Sequence, residues 1–389
     1  MTSAIQLRGI TWNHSRGFLP MVATAQRFGE THPGVEIVWE KRSLQEFADY
    51  PVEQLAETFD LLVVDHPFVG YAARHKVFIP LDEAFDENLS GGFLATQARD
   101  SVGASHDSYF YDGHQWALAI DAATPVSSWR PDLLERAKAA VPETWKDLLA
   151  LAGSGWVAFP SIPVDSLMNF YMFCCALGSE PFPAGGVFID ADTGAEALAM
   201  LHELVALCPP DILNWNPIAV YEAMASRDGI AYCPFAYGYS NYARAGYAAN
   251  ALRFGDLCRI RGSERARSTL GGTGLAIAAG CRNPDVALQY ACYVASGDCQ
   301  RGLYVESGGQ PGRRSAWTSA ETNHLANNFF KDTLPALDHA YLRPRYDGYI
   351  KFQDQAALAV HKFLREGGNA RQAVSEMRSL FESSQASQK

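Results

Sequence analysis

The chain has 389 residues, of which 48% are hydrophobic and 19% charged, a composition typical of globular domains rather than of disordered segments. Its formal net charge of −11 at pH 7 argues against nucleic acid or an anionic membrane surface as a partner, because both attract cationic faces. At about 100–200 residues per domain, the length predicts two or three folding units.

The first part of the chain alternates predicted strands and helices. A strand over residues 5–13 precedes a helix that starts near Phe18, and a second strand within 33–43 precedes a helical stretch interrupted at Pro51. A third, continuously apolar strand ends at Asp65. This βαβαβ order indicates a parallel sheet with helices on both faces. Ligands of such sheets bind beyond the carboxyl ends of the strands, so the loops after the first and third strands are expected to open onto one crevice.

The middle of the chain predicts a hairpin followed by a second α/β unit. Asp112-Gly113 is typical of a two-residue hairpin turn, and the chain then runs extended through Asp121 to Pro125. A helix is predicted from Pro142 with Thr144 as its N-cap, and residues 156–160 are predicted to form a strand.

The second half of the chain is predicted to be mainly helical. The pattern is helical from 166 to 207, a strand enters an aromatic loop at 230–243, and another strand follows the glycines at 271–274. An amphipathic helix is predicted at 283–296, and two C-terminal helices meet at Gly367-Gly368. There is no internal repeat or long polar linker, so short chain crossings are expected to join the units.

Motifs for catalysis, metal binding and phosphate binding are missing from the sequence. It contains no GxSxG, HExxH or kinase signature, and its acidic residues have no spacing that defines a glycosidase pair. The eight cysteines include no CxxC pair, which argues against a metal site and predicts buried free thiols, as in a reducing compartment. "GGTG" at 271–274 lacks the lysine and spacing of phosphate-binding loops. We therefore expect no cofactor, no metal and no enzymatic activity.

Seven motifs occur in the order typical of one protein family. They are "FGETHPGVEIVWE", "DLLVVDHPF" closed by "FIPLDEAF", "YDGHQWALAIDAATPVSSWRPDLL" followed by "PETWKDLLALA", "GIAYCPFAYGYSNY", "GGTGLAIAAGCRNPDVALQYACYVAS", "SGGQPGRRSA" and the closing helices. In this order the chain resembles the extracellular solute-binding proteins of ATP-driven importers, specifically the sugar-type family that includes the maltose-binding protein. The motifs span nearly the whole chain, and their order rather than any single motif carries the resemblance.

The resemblance implies an α/β, two-lobed periplasmic-binding-protein fold. Each lobe would be a mainly parallel sheet flanked by helices, with a ligand cleft between the lobes and about three crossings, near Asp121–Pro125, near Gly271–Thr273 and after Arg313. Hinge closure would then trap the ligand. The implied lobes are residues 1–122 plus 273–314, and residues 123–272 plus 315–389.

The resemblance also implies a function in transport. The chain would be the substrate-binding protein of an ABC transporter, capturing a carbohydrate or a sugar-like or acidic compound and delivering it to membrane permease subunits as a monomer. A cytoplasmic sensor or scavenger on the same fold is the alternative. The N-terminus has no basic region followed by an apolar one, so the location is periplasmic or at the cell surface if a leader was removed, and cytoplasmic if Met1 is the native start.

Candidate solute-binding residues of the first lobe lie on loops that follow strands. They are Trp12, His14, Arg16, Asp65 and His66, together with Asp121 at the first crossing. Alternatives remain open for three of them: a solvated Arg16, an Asp65 that only caps the turn, and an Asp121 that only makes a hinge hydrogen bond. Since Arg favours bidentate pairing with a carboxylate or phosphate, Arg16 makes an acidic solute an option.

Candidates of the second lobe combine polar and aromatic side chains. Ser161 and Asp165 follow the predicted strand at 156–160, and tyrosine rings suit the C–H faces of a sugar while adding a hydroxyl. Phe235 is expected in the core instead. The remaining candidates are Trp215, Tyr237, Tyr239 and Tyr349, together with Arg313 beside a turn-rich loop.

Overall fold

A computed structural model describes residues 5–43, 52–84, 87–183, 186–262 and 265–386. The helical stretch predicted just before Pro51 lies outside these residues. Ten strands are present in the described chain: β1 (Ile5–Trp12), β2 (Val35–Arg42), β3 (Leu61–Val64), β4 (Phe110–Tyr111), β5 (His114–Gln115), β6 (Leu118–Ala123), β7 (Pro125–Trp129), β8 (Tyr232–Tyr237), β9 (Arg253–Gly255) and β10 (Gly271–Ile277).

Helices account for most of the remaining regular structure. In chain order they are α1 (Ser15–Thr31), α2 (Val52–Thr58), α3 (Val69–His75), α4 (Leu81–Ala84), α5 (Glu87–Arg99), α6 (Pro131–Ala137), α7 (Trp145–Gly153), α8 (Pro163–Ala176), α9 (Ala191–Ala206), α10 (Pro217–Ser226), α11 (Pro284–Ala295), α12 (Gly297–Arg301), α13 (Leu303–Glu306), α14 (Arg314–Trp317), α15 (Ala320–Leu325), α16 (Phe329–Asp338), α17 (Tyr349–Glu366) and α18 (Ala370–Ala386). None of the helices in the described ranges combines the length and apolarity needed to cross a bilayer.

The chain divides into two compact units, each formed from separate stretches of sequence. The first unit comprises Met1–Ala123, Gly271–Lys331 and Arg345–Asp347, and the second comprises Thr124–Leu270, Asp332–Pro344 and Gly348–Lys389. Residues 315–331 thus group with the first unit, whereas the resemblance implied that they belong to the second lobe. At the start of this segment, Asp100 accepts hydrogen bonds from the Ser315 amide (2.8 Å) and hydroxyl (2.7 Å).

The sheet of the first unit has the strand order β2-β1-β3-β10-β6. The strand β1 pairs in parallel with β2 and β3, as the βαβαβ pattern predicts, whereas β10 runs antiparallel to both β3 and β6. All four residues of β3 are buried, which agrees with its uninterrupted apolar sequence. The ends of β1 and β3 and the interior of β6 place the candidate residues of this unit other than Arg313.

The sheet of the second unit corrects one prediction. In the described chain it has three strands in the order β8-β7-β9, and both pairings are antiparallel, so it is not the mainly parallel sheet that the resemblance implied. Residues 156–160 do not form the predicted strand either, because only Val157 pairs, in a single parallel bridge to Tyr232. The parallel component of this unit is therefore reduced to isolated bridges.

Turn and helix-end residues in the sequence predicted the structure more reliably than its strand-like segments predicted strand pairing. The hairpin turn is confirmed, since Asp112 and Gly113 adopt φ of 51° and 85° between two antiparallel strands. Thr144 is confirmed as an N-cap and forms a capping box with Asp147, although the helix begins at Trp145 rather than at the proline three residues before it. The two C-terminal helices end and begin on either side of Gly367-Gly368, as predicted.

Candidate functional site

The loop between β1 and α1 places three of the candidate residues of the first unit. His14 is the N-cap of α1, and its Nδ1 accepts a hydrogen bond from the Arg16 amide at 3.0 Å. Burial, assisted by the positive charge of Arg16, lowers the pKa of His14 to about 3, so its imidazole is neutral near pH 7. Trp12, the last residue of β1, is buried, and the Arg16 guanidinium carbon lies 5.8 Å from the centre of its ring.

Arg16 is bound in an ion pair within the first unit. Its Nε donates to Asp121 Oδ2 at 2.9 Å, and a second bond joins its Nη2 to Asp121 Oδ1. Arg16 is 4% exposed and Asp121 1% exposed. Burial raises the pKa of Asp121, while the charge and hydrogen bonds of Arg16 oppose that rise. A bidentate pair of this kind fixes both side chains and leaves no net charge.

Thr273 is a polar residue beside this pair that the sequence did not suggest as a site residue. On β10 it is in register with Asp121 of β6, and it is only 5% exposed. Its hydroxyl forms no hydrogen bond with any described residue. In the sequence, the glycines around it indicate a chain crossing. Gly272 has φ of 97°, and a Cβ there would lie 2.3 Å from the Asp121 carbonyl oxygen. A glycine is therefore needed at this position because β10 packs closely against β6.

The loop after β3 places Asp65 and His66 in a short 3-10 turn. Asp65 is its N-cap, and its Oδ1 accepts from the His66 amide at 2.8 Å while lying 3.1 Å from His66 Nδ1. His66 is fully buried and meets the Tyr109 ring edge to face, with 6.4 Å between ring centres. The capping role left open for Asp65 is therefore present, and its carboxylate remains partly exposed.

Arg313 lies inside the first unit. Its Nε donates to the Ala295 carbonyl at 2.8 Å, and its guanidinium carbon lies 5.4 Å from the centre of the Phe93 ring. Burial lowers the pKa of Arg313. The Arg313 side chain is 2% exposed and connects α11 to α5. Its position beside a turn-rich loop in the sequence does not indicate this structural role.

In the second unit, three candidate residues come together at the start of α8. The Ser161 and Ile162 amides donate to the Trp215 carbonyl at 3.1 and 3.4 Å. Asp165 lies in the first turn of α8. His361 of α17, which sequence reasoning missed, places its Nδ1 2.8 Å from the Ser161 carbonyl oxygen. This contact spans 200 residues, so no local pattern could have indicated it.

Ser161 and Asp165 are buried polar side chains. Ser161 is 0% exposed and Asp165 5% exposed. No described residue forms a hydrogen bond with Ser161 Oγ or with Asp165 Oδ2. Burial raises the pKa of Asp165 from its ordinary 3.8 to about 8. At pH 7 this carboxyl group is therefore mainly protonated, and it can donate as well as accept a hydrogen bond.

The tyrosine candidates of the second unit differ in burial. Tyr237, at the end of β8, is half-buried, and its hydroxyl lies 3.2 Å from the Thr269 hydroxyl. Tyr239 and Tyr349 are buried, the latter with its ring centre 5.8 Å from that of Phe182. Phe235 is in the core, as predicted. Tyr237 is therefore the most accessible of the three tyrosines.

The described residues contain no group of three or more His, Cys, Asp or Glu side chains arranged to hold a metal ion. All eight cysteines are free thiols, five of them buried.

Comparison with known proteins assigns the chain to a family. The family model for bacterial extracellular solute-binding proteins matches residues 23–329. Maltose-bound MalE3 of T. maritima is 16% identical to this chain, and the match covers 97% of this chain and 99% of MalE3 with a TM-score of 0.85. A solute-binding protein of Agrobacterium radiobacter K84 in complex with ribitol is 16% identical, with 98% of this chain and 99% of that one covered and a TM-score of 0.82. UgpB of Mycobacterium tuberculosis in complex with glycerophosphocholine is also 16% identical, with the same coverage and a TM-score of 0.76. These similarities show the α/β fold of two-lobed periplasmic binding proteins over nearly the full chain. No curated protein sequence matches the chain.

Proposed function

The chain belongs to the bacterial extracellular solute-binding proteins, and we therefore propose that it captures a dissolved small molecule for an ABC importer. It delivers this molecule unaltered to membrane permease subunits. It works in the periplasm or at the cell surface. The observation that carries the proposal is the family match together with a similarity in fold that covers 97% of the chain and 99% of MalE3. Ligand binding shifts the population toward the form that the permease recognises.

The electrostatics of the first unit favour a neutral solute over an acidic one. Arg16 was the cation expected to bind a carboxylate or phosphate, but Asp121 already occupies its bidentate face. The neighbouring His14 is neutral at pH 7 because its pKa is about 3. This loop therefore offers an anion no net positive charge. We expect a sugar or polyol, which presents hydroxyl groups and apolar C–H faces.

Thermal unfolding in the presence of candidate solutes tests the proposal. The panel consists of maltose, ribitol and other sugars and polyols, with gluconate as an acidic member. A ligand present at 100 times its dissociation constant stabilises the native state by about 2.7 kcal/mol, which raises Tm by several degrees. We expect a neutral compound to do this and gluconate to have no effect.

Two outcomes would contradict the proposal. If no compound of the panel shifts Tm or gives a saturable heat in calorimetry, the chain does not bind this class of solute. If chromatography after incubation shows that a bound compound has been converted to product, the chain is an enzyme rather than a carrier.

A cytoplasmic sensor is a second candidate, and one observation favours it: all eight cysteines are free thiols. Fractionation of the source organism distinguishes the two functions. A transport protein is released with the periplasmic or cell-surface fraction, whereas a sensor remains with the cytoplasmic fraction.

A further inference from the structure

Two buried polar groups at the start of α8 have no hydrogen-bond partner among the described residues. They are the Ser161 hydroxyl and Asp165 Oδ2, on side chains that are 0% and 5% exposed. Leaving such groups without partners costs free energy, so a protein retains them where a ligand or a bound water completes their hydrogen bonds. They lie four residues apart, on either side of the first residue of α8.

The N-terminus of α8 has no side-chain cap. Its N-cap, Ile162, has no side chain that accepts a hydrogen bond, and Pro163 at the first helical position has no N–H. The amides of the first turn and the positive end of the helix dipole therefore favour an oxygen acceptor at this point. Ser161, Asp165 and the start of a 14-residue helix together form a small polar site.

Few ionisable groups surround this site. The strand β8 contributes Cys233, whose thiol is within electrostatic range of Asp165, and α17 contributes His361 at the Ser161 carbonyl. Arg343 also reaches α17, where it donates to Gln353 at 3.0 Å. Trp215 contributes its backbone carbonyl. Burial is the cause that raises the pKa of Asp165, and no charged side chain offsets it.

We infer that Asp165 binds the solute as a neutral carboxylic acid, donating a hydrogen bond to a ring or glycosidic oxygen of the solute while the Ser161 hydroxyl completes the contact. This inference rests on the proposed function and adds a specificity-determining residue to it. An ionised Asp165 has no proton to donate, and a ring or glycosidic oxygen carries no hydrogen that the carboxylate could accept instead. The affinity of the second unit for its solute is therefore lost as Asp165 ionises.

Calorimetric titration between pH 6 and pH 9.5 tests the inference. The probe is maltose, which has ring and glycosidic oxygens, followed by the other sugars of the panel above. In the wild type we expect a constant Kd below pH 7.5 and a weakening of roughly tenfold per pH unit once the pH exceeds the pKa of Asp165. Asp165→Asn keeps a donor that does not ionise, so its Kd is expected to be independent of pH. Asp165→Ala is expected to bind weakly throughout.

The matched control is Asp211→Asn, an exposed aspartate of the same unit, which is expected to follow the wild-type curve. Asp165→Asn also serves to assign the Asp165 resonance in carboxyl ¹³C NMR of the unliganded protein, which measures its titration without a solute. We expect that titration near pH 8.

Several outcomes would overturn the inference. They are an Asp165 titration near its ordinary value, a flat wild-type Kd up to pH 9.5, or wild-type affinity in Asp165→Ala, which would mean that the site holds only water. Thermal melts confirm that each variant is folded. If no compound of the panel saturates the wild type, the proposed function fails, and the solute contact fails with it. If a sugar saturates with a pH-independent Kd, or if only polyols bind, the present inference alone fails.

Discussion

The buried ion pair between Arg16 and Asp121 is expected to be strongly coupled. Removing one partner leaves an uncompensated charge on a side chain that is at most 4% exposed, a change that typically destabilises a protein by about 3–5 kcal/mol. We expect this loss for both Arg16→Met and Asp121→Asn. The double variant leaves no buried charge, so it is expected to lose less than the sum of the two single losses, with a coupling of about 2 kcal/mol or more.

Urea denaturation at pH 7 measures all four members of this double-mutant cycle, and the fitted m-value checks that the same surface unfolds in each. The matched control is Arg371→Met, which removes an exposed ion pair with Asp192 and is expected to change the free energy of unfolding by less than 1 kcal/mol. Losses below 1 kcal/mol in both single variants, or strict additivity in the double variant, would show that the pair does not hold the loop before α1 against β6.

Three further predictions concern single side chains. Gly17→Ala is expected to destabilise by about 1–3 kcal/mol in thermal melts, because its Cβ would lie 2.4 Å from the buried Trp12 ring. Gly92→Ala, inside α5 with open space around it, is expected to stabilise by up to about 1 kcal/mol, and equal effects of the two substitutions would contradict this packing. Asp165 has a pKa of about 8 in the folded protein and 3.8 in the unfolded chain, so the free energy of unfolding is expected to fall by an amount on the order of 5 kcal/mol as the pH rises from 4 to 8. Asp165→Asn is expected to remove this decrease in urea denaturation. Wild-type and variant stabilities that fall in parallel with pH would contradict the prediction. Thr273→Val is expected to weaken solute binding about tenfold in calorimetry with little change in Tm, whereas unchanged affinity would exclude its hydroxyl from the site.

Local features of the sequence predicted much of the first unit. Apolar runs and helical spacing located β1, β2, β3 and α1, and turn chemistry located the hairpin at Asp112, because each of these signals depends on residues close together in the chain. The candidate loops after β1 and β3 were also located in this way. The contacts of those side chains could not be predicted from local patterns, since Arg16 and its partner Asp121 are 105 residues apart.

Pairing between distant segments explains the remaining errors. The sheet of the second unit was expected to be parallel, but β7 pairs antiparallel with β8 and β9, which lie about a hundred residues further along the chain. Residues 156–160 have a strand-like composition, yet they find only one bridge partner. A side chain such as Arg313 shows the same limit, because its burial against Phe93 depends on a fold that no local pattern encodes.

The two units remove charge from their candidate sites by different physical means. In the first unit Asp121 is held beside Arg16, so two opposite charges cancel at hydrogen-bond distance. In the second unit Asp165 has no cationic partner, and burial keeps its carboxyl group protonated near pH 7. Both arrangements present hydrogen-bonding groups without net charge, which suits hydroxyl groups better than carboxylates or phosphates. They differ in their response to pH, because an ion pair with arginine persists in mild alkali whereas the proton of Asp165 does not. An affinity that declines above pH 8 therefore identifies the second unit as the origin of the decline.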